Sequence, residues 1–236
     1  MDYFYCPPGN ITATSVRIDG EEFVHLARVM RKKEGDDICV VDGNGKAYDV
    51  RLESIQKTTA TGTIRHTHEQ FHEQALHVSL AVGILKNPSK FDFLIEKVTE
   101  LGVREIIPLR TERTIPDYAK VDRWQKLALA GMKQCGRSYL PRVRELLSLR
   151  ELFAKREPSD VTLIAHERSS DLPRFDQLVS KNIRSLLILV GPEGGFSDDE
   201  VTFCVSAGCQ LFTLGDRRLR TETAAIVTAA LSFQHS

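Results

Sequence analysis

The chain has 236 residues, 32 basic against 32 acidic side chains and 42% apolar residues, proportions that suit a water-soluble globular protein of one large or two smaller domains. No apolar run reaches the length of a bilayer span, and Met1-Asp2-Tyr3-Phe4-Tyr5-Cys6 offers neither a basic flank nor an apolar signal core. This excludes a membrane-spanning reading and predicts a cytoplasmic protein. Five cysteines, odd in number and without a C-x-x-C pair, read as reduced, packed thiols.

From Met1 to about residue 74 the pattern is short and strand-like, broken by Pro7-Pro8-Gly9-Asn10, Asp19-Gly20 and Asp42-Gly43-Asn44-Gly45. Ile38–Val41 and Tyr48–Leu52 flank the last of these as the arms of a hairpin. One helix, about Glu21 to Arg31, places Phe23, Leu26, Ala27 and Met30 on one side. Residues 60–75, rich in Thr and His and without period, read as a linker. His66, His68 and His72 within it could form a metal set, but a polar linker is the reading preferred, and no metal is expected.

After residue 75 the period changes. His77–Leu85 alternates as a strand, Asn87-Pro88 caps a helix to Leu101 with Phe91, Leu94, Ile95 and Val98 inward, Gly102 ends it, and Arg104–Leu109 forms the next strand. This is a βαβ unit, so a parallel sheet is expected. A further helix runs from Val121 to Cys135 and closes at Gly136. Buried strands follow at Val161–Ala165, Leu186–Val190 and Leu211–Leu214, with their ends side by side. Between Arg110 and Arg150 ten basic residues face four acidic ones, a local surplus suited to RNA phosphates or to a solvated helix face.

Two glycine-marked turns follow the last two strands. In Gly191-Pro192-Glu193-Gly194-Gly195-Phe196 the glycines free the backbone for positive φ and let a ligand approach the main chain. Ser197-Asp198-Asp199-Glu200 then has capping-box spacing, with Val201, Phe203 and Val205 as core-facing candidates and Gly208 as the stop. Leu214-Gly215-Asp216-Arg217-Arg218-Leu219-Arg220-Thr221-Glu222-Thr223 hands over to a small-residue helix, Ala224–Phe233, with Thr221 as its N-cap. Neither turn has the spacing of a dinucleotide fingerprint or a P-loop, so a di- or triphosphate is not the expected ligand. Loops at the carboxyl edge of an α/β sheet are where ligands bind.

The wording GPEGGFSDDE and LGDRRLRTETAA resembles the bacterial 16S ribosomal RNA uracil-N3 methyltransferase family, and His25–Arg31 and Gln134–Ser138 match its amino-terminal helix and its Gly-Arg-Ser segment. The resemblance implies an α/β fold: a parallel-sheet SPOUT domain over 75–236 with a carboxyl-terminal trefoil knot, preceded by a small PUA-like β-barrel over 1–74. It implies S-adenosylmethionine as cofactor, with Leu214, Gly215, Leu219 and Thr221 toward adenine, Gly191, Glu193 and Gly194 toward ribose and methionine, and His166, Pro192 and Thr223 alongside. It implies RNA contacts at Arg28, Arg31, Arg113 and Arg137, a 16S RNA substrate within the small ribosomal subunit, and a homodimer, for which Ala224, Ala225, Ala229 and Ala230 permit close helix packing.

Methyl transfer to a ring nitrogen depends above all on alignment, so a rigid cleft is its main requirement. The uracil N3 proton must leave, and Arg220 and Arg137 are suited by charge to steady the flanking carbonyl oxygens. Glu222 is either the base or a ligand of nearby amides, because the helix start favours its ionised form; Glu193 is the weaker rival. Two other readings stand beside this one: the same cofactor fold acting on another rRNA or tRNA nucleotide, and a non-catalytic RNA-binding assembly factor.

Overall fold

The computed structural model describes residues 2–166, 172–180 and 182–234. The chain divides into two compact units, one of Met1–Glu73 with Met132–Leu140, the other of Gln74–Gly131 with Pro141–Ser236.

The first unit holds a five-stranded sheet in the order β1-β3-β4-β5-β2, formed by β1 (Tyr3–Tyr5), β2 (Ser15–Ile18), β3 (Asp37–Val41), β4 (Lys46–Ile55) and β5 (Ala60–Glu69). The hairpin of β3 and β4 forms around the expected glycine turn, with Val40 opposite Tyr48 and Ile38 opposite Val50. Alternation sends Ile38, Val40, Tyr48, Val50 and Leu52 into one core with Phe4, Val16 and Leu26.

Two expectations here are corrected. The helix is α only over Gly20–Val24 (α1), then widens into a π turn over His25–Val29, with Met30 N donating to His25 O at 2.9 Å. The wider turn keeps Phe23 and Leu26 buried, with Ala27 and Met30 against the same core, and ends at Arg31 in a left-handed conformation, φ 52°. Residues 60–75 are not a linker throughout, because β5 extends to Glu69, pairing with β4 along its length and with β2 over Ala60–Thr63. Its second half is largely exposed, so no apolar period marks it, and the β-branched residues were its remaining signal. His68 pairs with Asp49 at 2.9 Å and His72 Nδ1 donates to Gly136 O at 2.9 Å; among the described residues no His, Cys, Asp or Glu group is arranged to hold a metal.

The second unit carries seven strands: β6 (His77–Gly83), β7 (Glu105–Arg110), β8 (Arg142–Val143), β9 (Leu147–Ser148), β10 (Val161–Ala165), β11 (Ser185–Val190) and β12 (Gln210–Phe212). All their pairings are parallel, in the order β12-β10-β11-β6-β7-β8, with β9 also on β7. Their helices are α2 (Pro88–Leu101), α3 (Val121–Cys135, whose last residues belong to the first unit), α4 (Leu149–Lys155), α5 (Phe175–Leu178), α6 (Asp198–Ser206) and α7 (Thr221–Ser232).

Local chemistry starts and stops these helices. Asn87 Oδ1 accepts from Ser89 N at 3.0 Å, and Gly102 ends α2 at φ 111°, while Phe91, Leu94, Ile95 and Val98 are buried as their spacing required. Ser197 and Glu200 form the capping box of α6, but Val205 on that helix is exposed; Val201 and Phe203 meet the core instead. Thr221 is the first residue of α7 rather than its cap, a place taken by Arg220 without a side-chain bond. The small elements β8, β9, α4 and α5 are too short to leave a period in the sequence.

Candidate functional site

Because β11, β10 and β12 are adjacent and parallel, their carboxyl ends share one edge, and the segments that leave them surround a cavity of about 430 Å³. Its wall takes in His166 after β10, Gly191, Pro192, Glu193, Gly195 and Phe196 after β11, and Thr213 through Gly215 and Arg217 through Glu222 after β12. That volume is within the range of small-molecule sites.

The first turn is tightly closed. Gly195 N donates to Pro192 O at 2.9 Å, Gly195 sits at φ 70°, and a Cβ on Gly191 would come within 3.0 Å of the Gly195 backbone. It also presses on the end of β6, where a Cβ on Gly83 would lie 2.4 Å from Pro192 N. Gly83 therefore makes room for the first turn, a role that sequence reading missed, since its only local signal was a glycine at the end of a strand.

Side chains pin the two turns. Arg113 Nη1 donates to Gly194 O at 2.8 Å and Phe196 O at 3.2 Å, and Glu193 Oε1 accepts from Lys86 N at 3.0 Å. Arg218 Nη2 donates to Glu193 O at 3.1 Å, tying the second turn to the first. In the second turn Thr213 Oγ1 accepts from Gly215 N at 3.1 Å, and Gly215, at φ 109°, has nothing within 4 Å of where its Cβ would stand. That is open space in the wall, the kind of cradle a nucleoside fills.

At the start of α7, Glu222 is 8% exposed. Its Oε1 lies 3.0 Å from Lys90 Nζ of α2, while its Oε2 is buried and meets no hydrogen-bond partner among the described residues. Lys90 also lines the cavity and went unnoticed in the sequence, because nothing local links the first turn of one helix to the first turn of another so far along the chain.

Most of the sequence-derived candidates converge here: His166, Gly191, Pro192, Glu193, Leu214, Gly215, Leu219, Arg220, Thr221, Glu222 and Arg113 all line the cavity. Gly194 and Thr223 are outside its wall. Arg137 is not in the wall either; it is buried in the first unit, paired with Glu73 at 2.8 Å. Arg28 and Arg31 are exposed on the π turn and just after it. The basic surplus between Arg110 and Arg150 is partly consumed internally, as Arg123, Lys133, Arg137 and Arg144 pair with Asp92, Glu22, Glu73 and Glu105.

The parallel α/β domain with a glycine-walled cavity at its carboxyl edge is of the SPOUT class of RNA methyltransferases. A family model described as RNA methyltransferase domain matches residues 72–232, and one described as RNA methyltransferase PUA domain matches residues 18–65. The chain belongs to the ribosomal RNA small subunit methyltransferase E family. It is 32% identical to the protein of that name from Bacillus subtilis, over 94% of this chain and 91% of the relative, and 32% identical to that of Synechocystis, over 94% and 74%. Among solved structures it is similar to ribosomal RNA small subunit methyltransferase E from Neisseria gonorrhoeae bound to S-adenosyl methionine, with 31% identity, a TM-score of 0.86 and coverage of 98% and 96%. It is also similar to a putative methyltransferase from Legionella pneumophila in complex with the same cofactor, at 27% identity, a TM-score of 0.83 and the same coverage.

Proposed function

We propose that this protein transfers a methyl group from S-adenosylmethionine to N3 of one uridine of 16S ribosomal RNA, acting on small-subunit RNA. The observation that carries the reading is the cavity itself: two turns that leave β11 and β12, on either side of β10, glycine-walled, with open space beside Gly215 and one buried carboxylate oxygen that has no partner among the described residues. Main chain at Gly191, Leu214, Gly215, Leu219 and Thr221, with His166, Pro192 and Glu193, would hold the cofactor. When bound, S-adenosylmethionine supplies a methyl group on a sulfonium sulfur, which keeps the electron pair of the broken bond.

The chain's own groups prepare the acceptor. Glu222 takes the N3 proton on Oε2, leaving the nitrogen pair to form the new N–C bond. Arg220, exposed at the cavity, offsets charge on the adjacent uracil carbonyl oxygen. Gly194 gives its carbonyl to Arg113, which fixes the first turn against the cavity.

The same reading includes a homodimer through α7. This helix is apolar around most of its circumference, with Ile226, Val227, Ala230 and Leu231 only half-buried in a single chain, as suits a helix covered by a second copy. Exposed Arg28 and Arg31 are the RNA contacts proposed for the first unit. The deciding experiment incubates the protein with labelled S-adenosylmethionine and small subunits or 16S RNA, then maps the modified base by mass spectrometry. Label in 3-methyluridine at one position is the expected result. Label on another base, or no transfer, overturns the reading.

A further inference from the structure

We propose that Lys90 is the positioning residue for Glu222, holding Oε1 so that Oε2 faces the uracil N3 proton. The inference deepens the methyltransferase reading and rests on it. Oε1 is 3.0 Å from Lys90 Nζ, Oε2 is buried with no hydrogen-bond partner among the described residues, and both residues line the cavity. Buried carboxylate oxygens in folded proteins are normally satisfied, so an orphaned one at a cavity wall marks where a ligand's donor belongs. Uracil offers one ring donor, N3–H, between two carbonyl acceptors. A carboxylate oxygen can meet only the donor.

Lys90 makes this geometry tenable. A carboxylate this deeply buried is costly to keep charged unless paired, and a carboxyl that had gained a proton elsewhere could no longer accept the one from N3. The ammonium compensates the charge through Oε1 and leaves Oε2 turned to the substrate. The lysine stands on a firm base: Asn87 caps α2 just before it, Pro88 opens the helix, and Phe91 and Leu94 are fully buried beside it. During turnover the N3–H bond breaks, its proton passes to Oε2, and the carboxyl then releases it to solvent.

Steady-state kinetics of the full chain on small subunits, with calorimetry of S-adenosylmethionine binding and thermal melting, tests the assignment. Lys90→Met is expected to lower kcat by about a hundredfold, a typical loss for a disabled proton acceptor, with KM for RNA and the cofactor Kd changed less than about twofold. Lys90→Arg should recover most of kcat, Glu222→Gln should match Lys90→Met, and the double variant should be no slower than Glu222→Gln alone. A second readout needs no turnover: the wild type should bind target RNA carrying uridine more tightly than the same RNA carrying 3-methyluridine, and Lys90→Met should lose that preference. If the wild type methylates N3 while Lys90→Met keeps its kcat, or loses only melting temperature or cofactor affinity, Lys90 has no positioning role. If the wild type does not methylate N3, the functional reading falls as well.

Discussion

The Arg137 guanidinium donates from Nη2 to Glu73 Oε2 at 2.8 Å and from Nε to Oε1 at 3.2 Å, and both side chains are almost wholly buried. The same Oε1 accepts from Ser138 N at 3.1 Å and Tyr139 N at 2.9 Å, so this pair ties residues 137–139 to the end of the first unit's main segment. The arginine that the sequence offered as an RNA or catalytic residue therefore has a structural task in the first unit. Arg137→Met strands a buried carboxylate and is expected to cost about 3–5 kcal/mol of unfolding free energy by urea titration. Wild-type stability in that variant would refute the structural assignment.

Gly83 and Pro192 are in a contact that no side chain can enter, since a Cβ would stop 2.4 Å from Pro192 N. Gly83→Ala must push the first turn out of place. Calorimetry should find the S-adenosylmethionine affinity at least about tenfold weaker, by the general rule that a small displacement of a positioning loop is expensive.

Gly215 and Gly208 form a matched pair. Both hold positive φ, 109° and 89°, and neither would bring a Cβ within 4 Å of any atom, but only Gly215 lines the cavity. Alanine at either position should cost about 1–2 kcal/mol of stability from backbone strain. Cofactor affinity should fall only for Gly215→Ala. Equal effects on affinity would mean that the second turn does not touch the cofactor.

Arg220 precedes α7 and is exposed at the cavity. Arg220→Ala should lower kcat about 10²- to 10³-fold, as loss of one charge-stabilising donor does, and leave the melting temperature close to wild type. A change confined to KM would reassign it to RNA binding.

Burial raises the thiols of Cys6 and Cys39 from 9.0 to about 11, with Asp19 and Glu22 adding to the effect at Cys6 and Asp49 at Cys39. A folded-state value above the unfolded one means that the native chain keeps its proton where the unfolded chain has lost it. The contribution to stability is therefore complete below pH 9 and is lost as pH rises toward 11. Melting temperature should fall across that window, and the fall should be shallower in Cys6→Ala and Cys39→Ala than in the wild type.

Local chemistry was legible in the chain itself. A cap at Asn87, a stop at Gly102, a capping box at Ser197 and Glu200, alternating apolar residues in β3 and β4 and two glycine turns each depend on neighbours a few residues away. Such signals specify where elements start, stop and turn, and they marked the two turns at the cavity, while the particular wall residues came from the family resemblance. The π turn after Val24 and the strand to Glu69 were not legible: the π turn closes on a local bond, Met30 N to His25 O, with no residue pattern that sets it apart from an α turn, and the second half of β5 is exposed, so no apolar period marks it. Tertiary structure alone decided that Arg137 answers Glu73, that Gly83 makes room for Pro192 and that Lys90 meets Glu222. Charge and size at one position carry no address for a partner in another part of the chain; only the packed sheet and its helices bring such groups within bonding distance.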